Sequence, residues 1–103
     1  MNTEIGLEAM IEQHQRDSEK RAVLMSTLPP KLQTVLASLP GAGRCYLLDR
    51  LFILNNPDAS HRHQIERSMI EGALGYAFTL DQMKGEDYLR LSEFFKQQGS
   101  QST

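Results

Sequence analysis

The chain has 103 residues, 40% apolar and 23% charged, with a formal net charge of −2. That length fits one domain and is too short for most two-lobed enzyme architectures; it also suffices to bury roughly 60–70% of the unfolded surface without a metal or disulfide. Residues 1–50 carry six basic and six acidic side chains and residues 51–103 carry five and seven, which argues against a strongly basic nucleic-acid module, and no apolar run approaches the roughly 20 residues of a membrane span.

The first predicted helix runs from Thr3 or Glu4 to Thr27. Leu7, Ile11, His14, Ser18, Ala22 and Met25 share one face at 4-3-4-4-3 spacing. That seam is apolar at its ends and polar in its middle, because Glu12–Arg21 contains no aliphatic side chain. Glu12 with Arg16 and Asp17 with Arg21 are i,i+4 pairs in the favourable order. The apolar N-terminal end, Ile5, Leu7, Met10 and Ile11, therefore has two readings: one end of a long helix that touches its own domain at both ends, or an arm that docks on a protein partner or on a second copy of the chain. A helix of about 24 residues is roughly 36 Å long, longer than the body of a domain whose radius of gyration is about 13 Å.

Pro29 and Pro30 end this helix and open the next. Leu32, Val35, Leu36 and Leu39 follow i, i+3, i+4, i+7, and Pro40 stops them. Gly41-Ala42-Gly43 reads as a turn. It lacks the third glycine of a dinucleotide loop and the Gly-Lys-Ser/Thr of a Walker loop. Cys45–Leu54 has eight apolar residues in ten, too many for one stripe, and predicts a central helix surrounded by the others. The charges inside it, Asp49 and Arg50, are expected on a wetted strip with Arg44, or else in a buried ion pair. Cys45 is the one cysteine; it excludes an intrachain disulfide and reads as a small buried hydrophobe in a reducing compartment.

Asn56 and Pro57 predict the N-cap and first residue of a fourth helix that ends near Phe78. Ile65, Met69, Ala73 and Ala77 form one i+4 row on it, with Ile70 and Leu74 beside. Gly72 and Gly75, with Ser68, Ala73 and Ala77, are expected to pack closely on the central helix. His61 and His63 are two residues apart, so on a helix they point about 200° apart and cannot chelate together; a solvated first turn is expected and no metal site. Thr79-Leu-Asp-Gln82 fits a capping box, with Gly85 ending a short helix or interrupting a longer one. Tyr88, Leu91 and Phe95 predict the last helix, flanked by Leu89 and Phe94, before a polar tail at 97–103.

These elements predict an all-α single domain over 1–103, ordered from about 4 to 96: a bundle of four to five helices around the helix at 45–54. No nucleophile–base pairing or cofactor motif is visible. The expected function is therefore non-enzymatic: a cytoplasmic protein without a leader, membrane span or cofactor, binding another protein as adaptor, inhibitor or regulator through Ile5, Leu7, Met10 and Ile11. The alternative is a nucleic-acid-binding regulator using Arg44, Arg50, Arg62 and Arg67, which Asp49, Asp58 and Glu66 dilute.

Overall fold

A computed structural model describes residues 2–99, and the side chains of residues 6–99. Five α-helices occur: α1 (Asn2–Ser26), α2 (Pro30–Ser38), α3 (Gly41–Leu54), α4 (His63–Thr79) and α5 (Gly85–Gln97), with 3-10 turns at Pro57–Arg62 between α3 and α4. No strand occurs among the described residues, and no helix among them is long and apolar enough to cross a membrane.

Proline sets the boundaries of the first three helices. Pro29 caps α2 and Pro30 is its first residue, while Gln33 Nε2 donates to the Leu28 carbonyl at 2.7 Å and pins the turn behind it. Pro40 caps α3 directly, and its carbonyl accepts from the Arg44 N–H at 3.0 Å. Gly41-Ala42-Gly43 is therefore the first turn of α3 and not a loop. The extended proline reverses the chain by itself, so no further residues are needed.

The core joins Leu28, Leu32, Val35, Leu36 and Leu39 to Leu47, Leu48, Leu51 and Leu54 of α3, Ile70, Leu74 and Ala77 of α4, and Met83, Leu91 and Phe95. Helix α3 touches α1, α4 and the 3-10 turns, and α5 packs on α4 and α2. Yet α3 is not enclosed on all sides. Its buried residues form one face, and Tyr46 and Phe52 are exposed. The other four helices leave part of it open, and cations lie over the aromatics there. Lys20 Nζ lies 5.5 Å from the Phe52 ring centroid and the Arg50 guanidinium 4.9 Å from that of Tyr46.

Helix α4 is rotated from the expected register. Its buried side carries Glu66, Ile70, Leu74 and Ala77, while Ile65 faces out. A Cβ on Gly72 or Gly75 would meet nothing within 4 Å, so neither glycine serves close packing on α3. The rotation goes with the 3-10 turns at Pro57–Arg62, whose N-cap Asn56 accepts from the Asp58 N–H at 3.0 Å. They delay the α-helix to His63 and turn that residue inward. His63 is buried, not solvated, and its Nε2–H is shared between the Ile53 and Asn56 carbonyls at 3.1 and 3.0 Å.

The capping box at Thr79 does not form. Thr79 Oγ1 donates to the Gly75 carbonyl inside α4, and Asp81 adopts a left-handed φ of 59° in the connection. Gly85 opens α5 rather than ending a helix. At the far end, Arg67 Nη1 donates to the Gln98 carbonyl at 2.9 Å, and Gly99, at φ 72°, seats against His63, Arg67 and the Leu54 carbonyl.

Candidate functional site

The first half of α1 projects from the body. Every described side chain from Leu7 to Arg16 is exposed, and burial begins at Asp17 and Arg21. The molecule is elongated to match, 51 by 34 by 23 Å. On the projecting half, Leu7, Met10 and Ile11 are 58%, 70% and 50% exposed. Their i, i+3, i+4 spacing puts them on one face. The side chain of Ile5 lies outside those described.

The root of the arm is fixed by charge and packing together. Arg21 Nε and Nη2 donate to Asp49 Oδ1 and Oδ2 at 2.8 and 2.9 Å, a bidentate link from α1 to α3. The hydrogen bonds to Asp49 hold the guanidinium above its ordinary pKa, against the opposing pull of burial. Leu24 and Met25 pack beside it on the core. Asp49 is therefore a strut that stands on the wetted side of α3, its side chain 41% exposed. The expected i,i+4 pairs on α1 give way to other partners: Asp17 accepts from Gln13 Nε2 and Arg16 donates to Gln13 Oε1.

Each of the four arginines of the nucleic-acid alternative contacts a partner within the fold, although Arg62 keeps 54% of its side chain exposed. Arg50 and Arg62 both face Glu66, which is fully buried. Arg62 Nη2 donates to Oε1 at 2.9 Å. Arg50 Nε lies 2.9 Å from Oε2, but its N–H does not point along the contact, so the attraction is one of charge without an aligned hydrogen bond. Arg67 holds Gln98, and Arg44 reaches the Ala37 carbonyl at 3.5 Å. Glu66 belongs to the interior because both arginines reach it there. Its i,i+4 spacing from Arg62 was visible in the sequence; the contact from α3 was not.

Among the described residues, no three His, Cys, Asp or Glu side chains gather where they could hold a metal ion. A cleft of about 430 Å³ at the root of the arm is lined by Val23, Leu24 and Phe52, with Arg16 and Lys20 at its rim. Val23 and Phe52 were missed as surface residues. Val23 lies off the seam of α1, which was a readable signal, whereas the exposure of Phe52 depends on how far α1 reaches over α3.

The chain matches no family model, no curated protein and no solved structure. Its functional reading therefore rests on its own geometry.

Proposed function

We propose that this chain is a small non-enzymatic protein of the cytoplasm that binds another protein through the projecting half of α1, as an adaptor, inhibitor or regulator. The observation that carries the reading is the exposure of Leu7, Met10 and Ile11 on a helix that leaves its own body. Apolar anchors at i, i+3 and i+4 are the means by which an amphipathic helix enters a groove on its partner. Burial of such side chains stabilises a complex by roughly 25 cal/mol per Å² before the costs of association. The bidentate Arg21–Asp49 pair aims the arm and so lowers the entropy lost on docking. A single half-buried thiol, Cys45, suits a reducing compartment. The arginine alternative is the weaker reading, since its four side chains already have partners within the fold.

Deletion of residues 1–11 tests the proposal. Unfolding free energy is expected to change by less than about 1 kcal/mol, as for surface changes, while partner recovery is lost. A loss of several kcal/mol with association intact would make the arm ordinary core and end this reading.

A further inference from the structure

Charge is divided unevenly between the arm and the rest of the chain. Residues 1–15 hold three acidic side chains, Glu4, Glu8 and Glu12, and no lysine or arginine. Residues 16–103 hold eleven basic and ten acidic side chains, so the net negative charge resides in the arm. Glu8 and Glu12 are exposed. Neither has an ion pair or a hydrogen-bond partner among the described residues, and Arg16, four residues beyond Glu12, donates to Gln13 instead. An acidic residue near a helix N-terminus offsets the macrodipole, but only within the first turn. Glu8 and Glu12 stand in the second and third turns of α1. Their place around the helix is specific. Glu8 lies about 60° beyond Ile11 and Gln13 about 60° beyond Met10, on opposite sides of the anchors. Glu12, four residues after Glu8, continues the same row. The apolar face of the arm therefore has carboxylates along one flank and an uncharged amide on the other.

We propose that the arm docks on a different protein, one whose apolar groove carries lysine or arginine along the rim that meets Glu8 and Glu12. The inference rests on the reading of the arm as a contact element and adds the chemistry of its partner. Leu7, Met10 and Ile11 are the anchors that enter the groove. Two free carboxylates one helical turn apart serve no contact within the chain's own fold. Opposite a basic rim they raise the rate of encounter, and because they lie on one flank only, they fix which way round the helix is seated. The same charges argue against the other broad classes of partner. An anionic lipid surface attracts basic segments and repels acidic ones, and nucleic acid is bound by neutralising its phosphates with lysine and arginine, which the arm lacks.

The probe is the full chain with a photo-crosslinking amino acid at Met10, irradiated in native lysate at about 50 and about 500 mM salt, where the screening length falls from roughly 14 to roughly 4 Å. The yield of protein adduct should fall at least about fivefold over that range. Glu8→Gln with Glu12→Gln should lower the yield at the lower salt by a similar factor, remove most of the salt dependence, and leave the helix content by circular dichroism unchanged. Glu86→Gln with Glu93→Gln removes the same charge from exposed positions of α5 and should alter neither yield nor salt dependence. The cross-linked stretch of the partner, read by mass spectrometry, should hold more lysine and arginine than aspartate and glutamate. An adduct indifferent to salt and to the double substitution on the arm, or one between two copies of this chain, overturns the basic-rimmed partner while the arm stands as a contact element. No adduct at either salt overturns both.

Discussion

Arg21 grips Asp49 through two parallel hydrogen bonds, at 2.8 and 2.9 Å, and the pair marks where α1 ceases to be an arm and joins the body. Both side chains are partly exposed, so the pair contributes modestly and its role is chiefly to fix direction. Asp49→Ala should cost about 1 kcal/mol, at the upper end for a partly exposed pair with good geometry. Urea melts of the variant and of Arg21→Ala check this. Losses of several kcal/mol for each would mean that the link is buried more deeply than its exposure indicates.

Glu66 is the charge on which the interior depends. Glu66→Ala leaves Arg50, itself largely buried, facing an apolar cavity without its carboxylate. Breaking a buried pair from one side costs about 3–5 kcal/mol. Equilibrium unfolding should therefore show Glu66→Ala far more damaging than Asp49→Ala. Arg62→Ala, at the exposed end of the cluster, should fall between the two.

Adjacent residues of α3 should behave oppositely. Leu51 is fully buried, so Leu51→Ala should cost about 2–5 kcal/mol. Phe52 is exposed over the cleft beside Lys20, so Phe52→Ala should cost about 1 kcal/mol or less, as at other surface positions. Equal losses in a denaturant melt would show α3 enclosed on both sides.

Two glycines separate backbone need from idle space. Gly99 has φ 72°, and an added Cβ would come within 2.9 Å of the His63 ring and 3.2 Å of the Leu54 carbonyl. Gly99→Ala should lower stability by about 1 kcal/mol or more. Gly75 has no neighbour within 4 Å of an added Cβ, so Gly75→Ala should raise it by about 0.4–1 kcal/mol. Thermal melts distinguish the signs.

The all-α class and the break between α1 and α2 were legible because Pro29, Pro30 and the i, i+3, i+4 rows state them locally, whereas α3 starts at Gly41 rather than after a glycine turn and α4 at His63 rather than at Pro57. The buried face of α2 was legible for the same reason. What was not legible depended on rotation or on distant partners. The 3-10 turns shift the phase of α4 and so exchange Ile65 for Glu66 at the core; no residue pattern within α4 signals that shift, since both rows are plausible. Asp49 and Arg50 looked solvated because their partners, Arg21 and Glu66, are 28 and 16 residues away in sequence. Helix length and the polar run at 12–21 left two readings of the N-terminal end open, packing on its own domain or overhanging it, and the described side chains from Leu7 to Arg16 are exposed.

The arm of α1 is proposed as a contact element rather than part of the fold. Its most direct test is a photo-crosslinking amino acid placed at Met10 in the full chain in cells, with the same probe at the exposed Leu89 of α5 as control. A discrete protein adduct is expected from position 10 and none from position 89, with the adduct lost when Leu7 and Ile11 are changed to serine. No adduct at position 10, or the same adducts from both positions, would contradict it.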